Sequence, residues 1–351
     1  MPLFKGAVSP ITFLVNDPQG FGRASLETLL AQLRTFQFQP VDKSKGRYNA
    51  VGWVDPQKPT GKYLDMPNIT DCIILSARMD LTIISTTELR FEVKQRAAEE
   101  CAARNLLRLP KKERMELEED VRTELRKTTK PKRHILQMMW HVPTSRLFVS
   151  PCSAVVQPFL EDLLKETFEV EILPEHTYTE CVRALGTDEG AGVSKSYEPQ
   201  AFTEAFIPWV RGAIEGAEGE HMIGVGVDRF GLVFTDRVRM NHADGSSMDL
   251  KTRDAHRHDA ADLMRERDYK TTLAKMILFC DKFAVDVVFD APKWRMTGVK
   301  LPKPKEYPGT QDSHDVLERR MHLLADLYKA RSGLFARFLR EQFGLRSANA
   351  A

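Results

Sequence analysis

The sequence has five cysteines, Cys72, Cys101, Cys152, Cys181 and Cys280, and no C-x-x-C pair among them. Such an odd, unpatterned set argues against a disulfide framework or a zinc site and reads as reduced thiols. No apolar run reaches the roughly 18 residues that a membrane-spanning helix needs. Nor does a basic-then-apolar leader open the sequence, so a cytoplasmic protein is expected. The phosphate-binding pattern G-x-x-x-x-G-K-[ST] is missing, which argues against ATP hydrolysis. The glycines of "IGVGVDRFG" fall in a hairpin pattern instead of a strand feeding a helix, so the dinucleotide-binding context fails. No G-x-S-x-G elbow occurs. Cys152 in "SPCSA" lacks an identifiable histidine partner and reads as a structural thiol. An excess of either charge is absent as well: 51 Lys and Arg face 49 Asp and Glu, a net +2. A total so near zero can still hide a strongly basic face, so the distribution of charge matters more than its sum.

The apolar periodicities describe an α+β chain of several lobes. "ITFLV" is a strand. "LETLLAQLRTF" carries Leu26, Leu29, Leu30, Leu33 and Phe36 on one helical stripe, and "FQFQPV" alternates as a strand would. A similar unit returns at "RLFVS", where "VVQPFLEDLLKETF" and "VEILP" follow. Two such units predict mixed sheets and hint at internal pseudosymmetry. "CIILSARMDLTIIS" reads as two short apolar runs. A charged helical stretch from Thr87 to Lys127, broken near Pro110, has narrow apolar stripes at Leu89, Val93, Ala97, Cys101 and at Leu117, Val121, Leu125. Helices of this kind lie on a surface or project from it. "ILQMMWHV" and "RLFVS", joined by "PTS", form a hairpin.

Beyond the connector "GTDEGAGVSKSYEP", "HMIGVGVDRFGLVF" predicts paired strands and "DAADLMRERDYKTTLAKMILFCDKF" a helix. "VDVVFD" and "WRMTGVKLP" are strands, and a last helix runs from Ser313 to Phe343 with arginines outside its Leu/Phe stripe. The expected divisions are an α+β lobe (1–85), a charged helical segment (86–135), a strand-helix-strand unit packed on the first lobe (136–185), a second α+β lobe (200–305) and a C-terminal helix with tail (306–351).

The strongest chemical signal is a basic connector. Arg122, Arg126, Lys127, Lys130, Lys132 and Arg133 stand together with one acid, Glu124, directly before the apolar "ILQMMW". Phosphate binding without base readout needs only such cations on a scaffold that keeps them from collapsing onto nearby acids. A lone basic run is more often a solvated face. Further candidates are Lys43, Lys45 and Arg47 in "DKSKGRYNA", Lys58 and Lys62 in "PQKPTGKY", and Lys300, Lys303 and Lys305 in "KLPKPK". Arg78 closes an apolar strand, where an internal salt bridge explains it equally well. Of Trp53, Trp140, Trp209 and Trp294, three sit beside apolar strand or helix residues, so core packing is expected in place of base stacking; Met138 and Met139 also read as core. One enzymatic alternative exists: His242, Asp244, Asp249, Asp254, His256, His258 and Asp259 carry donors that could hold a divalent ion for a nuclease. Without a recognised ligand spacing they read as a solvated loop.

Several short signatures then resemble one family, the RdgC recombination-associated proteins of bacteria. They are "GWVDP", "ILSARMDLTIIS" with its Ala77–Arg78 pair, "QMMW", "FVSPCSAVVQPFLEDLLKETF" and "MTGVKLPK". The resemblance covers residues 1–175, and 200–303 more loosely. It implies a non-enzymatic protein, without cofactor or metal, that binds double-stranded DNA with little regard for sequence. Two crescent-shaped, multi-lobed subunits would close into a ring-like homodimer around the duplex. In that setting the protein is nucleoid-associated and limits loading of the RecA recombinase. The resemblance also tips the connector, with Lys43, Lys45, Arg47, Arg78, Lys300 and Lys303, toward phosphate contact. Two departures stand out. Family members often carry an aromatic residue shortly before the Met-Met-Trp, tied to the dimer gate, where "TTKPKRH" offers only Pro131 and His134. The tail beyond residue 305 is also long. A protein-interaction module built on the charged helices is the third reading.

Overall fold

The computed structural model describes residues 6–56, 68–185, 199–215, 222–225, 228–280, 283–301 and 313–343. Within them the chain forms eight α-helices and two antiparallel sheets, an α+β fold.

The first sheet contains β1 (Ile11–Asn16), β2 (Ala50–Trp53), β3 (Asn68–Ile69), β4 (Cys72–Leu81), β5 (Lys132–His141), β6 (Arg146–Ser150) and β7 (Glu171–Pro174). Its order is β2-β4-β5-β6-β1-β7, with β3 also paired to β4. Helices α1 (Leu26–Thr35) and α4 (Gln157–Phe168) are part of the core on one face, where Leu29, Leu33, Leu160, Leu164 and Phe168 meet Trp53, Leu75 and Met138. Two more helices, α2 (Thr86–Ala103) and α3 (Lys111–Thr128), pack against each other between β4 and β5. Each buries a single residue, Val93 and Val121 respectively. That is the narrow-striped, projecting arrangement their sequence predicts.

The second sheet runs β10 (Ser247–Lys251), β9 (Asp228–Asn241), β11 (Lys270–Cys280), β12 (Phe283–Asp290), β13 (Arg295–Lys300), with β8 (Met222–Val225) also on β9. Helices α5 (Thr177–Leu185), α6 (Pro199–Glu215) and α7 (Asp259–Glu266) accompany it. The last helix, α8 (Ser313–Phe343), packs against α5 and α6, and a single core joins its Leu324, Leu327, Phe335 and Phe338 to both sheets. Its Tyr328 meets Phe148 of β6 edge to face at 4.8 Å, a favourable aromatic geometry.

Several expectations change. The sheets are antiparallel, not mixed; the one parallel pairing among the described residues is an isolated bridge, Gln37 to Trp53. The anticipated strand "FQFQPV" is reduced to that bridge. There Gly52 lies so close to the Phe38 backbone that a Cβ would stand 2.4 Å from the Phe38 Cα, so only glycine fits. The two apolar runs of "CIILSARMDLTIIS" join into one ten-residue strand, because β4 is central and covered on both faces. The single helix expected from Asp259 onward stops at Glu266. Asp268 takes a left-handed φ of 64°, and the continuation becomes β11, where pairing with β9 on one side and β12 on the other overrides local helix preference. Only α7 keeps the helical period.

The two sheets are tied together by polar contacts as well. Val8 pairs with Val299 through reciprocal backbone hydrogen bonds of 2.9 and 2.8 Å, so the segment leading into β1 extends the edge of the second sheet. Deeper, Arg146 of β6 reaches Glu175 at 2.8 Å and Glu180 at 3.4 Å, and Arg331 of α8 reaches the same carboxylates at 2.7 and 3.5 Å. The Arg146 guanidinium also donates to the Ser332 hydroxyl at 2.5 Å, and Arg331 donates to the Trp294 carbonyl at 3.2 Å. Buried charges persist only when paired in this way, and removing one partner strands the others. Burial alone would raise the Glu175 carboxyl, but the two guanidiniums outweigh it and hold it far below its usual range.

A folded-state pKa below the unfolded one means that the unfolded chain binds the extra proton. The stability from Glu175 is therefore complete above the ordinary carboxylate pKa, about 4.3, and is lost as pH falls below it. Urea unfolding of Glu175→Gln is expected to show a loss of about 3–5 kcal/mol at neutral pH, with a shallower decline in acid than the parent chain. Equal stability would show that the cluster does not lock the sheets together.

Candidate nucleic-acid interface

The register of the central ladder positions the basic connector. β4 and β5 pair over their whole length, from Cys72 with His141 to Leu81 with Lys132. The chain therefore leaves the sheet at Leu81, forms the α2–α3 hairpin, and returns at Lys132 directly beside its point of exit. On the other side of β4, Ala50 pairs with Asp80, which in turn pairs with Arg133. The loop carrying Lys43 and Arg47 thus ends at the same edge.

That loop is built to hold a shape. Asp42 accepts the Ser44 backbone N–H at 3.1 Å, and Gly46 takes the left-handed φ of 70° that closes the turn. The Lys43 ammonium then donates to two backbone carbonyls at the end of α3, Lys127 at 2.9 Å and Thr129 at 2.7 Å. A cation on carbonyls that a helix leaves without partners complements the negative end of its dipole. Lys43 is thus a clamp that joins two patches about eighty residues apart in the sequence.

The cations divide into three kinds. Arg47, Lys127, Lys130 and Lys132 are exposed and make no ion pair among the described residues. Arg133 lies 3.6 Å from Asp80, and Arg126 lies 4.0 Å from Glu119; both are long contacts on half-exposed side chains. Arg122 is held by Glu118 at 2.8 Å and Glu119 at 3.6 Å. Arg78 is spent inside the lobe: its guanidinium binds both oxygens of Asp80 and lies 4.2 Å over the Phe38 ring. Lys300 stands on the other sheet, with its ammonium 2.9 Å from Asp286. Lys45 belongs to the loop. Lys58, Lys62, Lys303 and Lys305 lie outside the described residues.

The histidine and aspartate stretch is a hairpin between β9 and β10 followed by a short turn, not a loop. Asp249 binds Arg237 at 2.7 Å and Arg239 at 2.9 Å, which hold its carboxyl well below the usual range. Asp244 accepts from Ser246 and lies 2.9 Å from His242; the Ser246 bonds lower its pKa to about 2. His258 caps α7 through the Ala260 N–H, and His256 is buried against Phe234. Among the described residues no three His, Cys, Asp or Glu side chains gather as a metal centre would require. Burial raises the Cys152 thiol to about 11, away from nucleophilic chemistry. Trp53, Trp140 and Trp294 are core residues, and the Trp53 indole N–H donates to Thr167 of α4 at 2.8 Å. No helix among the described residues is long and apolar enough to cross a membrane.

The sequence missed one cationic feature. On the hairpin, α2 and α3 frame an open groove of about 1080 Å³ in which Arg90, Lys94, Arg108 and Arg114 accompany Arg122 and Arg126. These residues are too scattered along the chain to register as a basic run.

Replacing Lys43 with methionine is expected to cost about 1 kcal/mol and to speed hydrogen exchange at the last turn of α3 and at 129–132. Hydrogen-exchange mass spectrometry checks this. Unchanged protection there would show that the clamp does not order the connector.

A family model described as "Putative exonuclease, RdgC" matches residues 13–285. No curated protein matches the chain.

Proposed function

The chain belongs to the RdgC family, and from that membership together with the clamped basic edge we propose that it binds double-stranded DNA through phosphate contacts, without reading sequence and without performing chemistry. The observation that carries this reading is the convergence of Arg47, Lys127, Lys130, Lys132 and Arg133 at one end of a rigid sheet. Lysines and arginines held this way attract a phosphate backbone by charge, whatever the base sequence. A second copy of the chain would complete a ring around the duplex, and occupancy would compete with loading of a recombinase. These are expectations of the resemblance to the family.

The family description favours a second reading, an exonuclease. Its strongest bearers in this chain are His242, Asp244, Asp249, Asp254, His256, His258 and Asp259, most of which already serve the fold as cap, pair or core.

Changing Lys127, Lys130, Lys132 and Arg133 together to alanine should leave the circular dichroism spectrum intact. Duplex affinity should fall at least about tenfold, equivalent to about 1.4 kcal/mol. The slope of log K against log salt should drop by about 0.9 for each phosphate that the variant no longer neutralises. Unchanged affinity would remove the connector from the site. Shortening of a labelled duplex upon adding magnesium or manganese would instead favour the exonuclease.

A further inference from the structure

The groove between α2 and α3 differs in kind from the basic edge. Its rim carries Arg90, Lys94, Arg108 and Arg114, all exposed and none in an ion pair among the described residues. Its acid, Glu118, is already taken by Arg122. The floor is apolar: Leu89, Val93, Ala97 and Cys101, the whole stripe of α2, lie along it with Leu109. Of that stripe Val93 is buried and Leu89, Ala97 and Cys101 are half-buried, so α3 covers the apolar face of α2 only in part. At the mouth, Leu107 is fully exposed. A partly covered apolar stripe, ringed by cations in no ion pair among the described residues, marks an interaction surface.

The opposite side of the same hairpin is acidic. There Glu99, Glu100, Asp120 and Glu124 surround Arg96 and Lys127. The hairpin is thus polarised across its width, which a net charge of +2 conceals.

The geometry points to this groove as the docking site for an acidic amphipathic helix of a partner protein, with leucine or phenylalanine anchors on the α2 stripe and carboxylates against Arg90, Lys94, Arg108 and Arg114. Charge complementarity gives the sign of the partner and the apolar floor gives its class. Helix-in-groove recognition needs apolar anchors repeating at helical spacing. A nucleic-acid backbone has charges but no apolar face to lay on Leu89 and Leu107. Packed helices have axes only about 8–10 Å apart, so their furrow admits a helix or strand and not a duplex.

The test uses the full chain and a short fluorescein-labelled peptide with Leu and Phe at i, i+4 spacing among Asp and Glu, read by fluorescence anisotropy. Saturable binding is expected. Arg90→Glu combined with Arg114→Glu should weaken it at least about tenfold. Leu107→Ser, at a position exposed enough to leave folding untouched, should weaken it about threefold or more. The alanine variant of Lys127, Lys130, Lys132 and Arg133 should keep the peptide while losing duplex, which separates this site from the basic edge. A polyglutamate peptide bound as tightly as the amphipathic one would reduce the groove to ion exchange and overturn the proposal. Peptide binding indifferent to the three groove substitutions would also overturn it. So would loss of duplex binding, with the peptide retained, in the Arg90 and Arg114 variant. Self-association that Leu107→Ser abolishes, with no peptide bound, would assign the groove to a second copy and overturn it equally.

Discussion

The pairing of β4 with β5 is the constraint on which the remaining architecture hangs. Ten consecutive partners, buried on both faces by Ile74, Leu75, Met138 and Met139, fix the register. A one-residue slip would turn every one of these side chains to the opposite face, among the wrong neighbours. Because Leu81 and Lys132 are partners, the chain between them must leave and return at one point. A charged helical hairpin and its basic connector are therefore attached to a continuously paired, buried strand pair, although neither has much core of its own. That attachment separates a positioned patch from a solvated run of lysines.

Charge in this protein is sorted by depth. In the interior, Arg146 and Arg331 face Glu175 and Glu180 in a closed cluster that joins the first sheet, α5 and α8. At the middle level Arg78 and Arg122 are consumed by carboxylates nearby. At the surface of the connector Arg47, Lys127, Lys130 and Lys132 are left over, exposed and in no ion pair among the described residues. Composition cannot reveal this sorting, since the three classes draw on the same residue types.

Much of the fold was legible from periodicity. The α2–α3 hairpin with its break at Pro110, the β5–β6 hairpin and the terminal helix all follow the sequence pattern. The failures share a cause: patterns that two structures satisfy equally. Leu273 and Ile277 fit a helix face as well as a strand, and the turn at Asp268 with pairing to both β9 and β12 decided for β11. The long helix could be located but not placed. Its arginines lie outside the Leu/Phe stripe and the pattern left their role open, whereas Arg331 is buried on carboxylates contributed from far away in the chain. In the same way the connector was visible as a basic run. The role of Lys43 was not, because hydrogen bonds to Lys127 and Thr129 depend on tertiary structure alone.

The central claim is that a rigid sheet edge presents cations to phosphate. Lysine acetylation footprinting, with and without a saturating duplex of arbitrary sequence, tests it most directly. Lys127, Lys130 and Lys132 are expected to become protected together, for two duplexes of unrelated sequence and without added metal. Equal modification of those three lysines in the free and bound protein would contradict it.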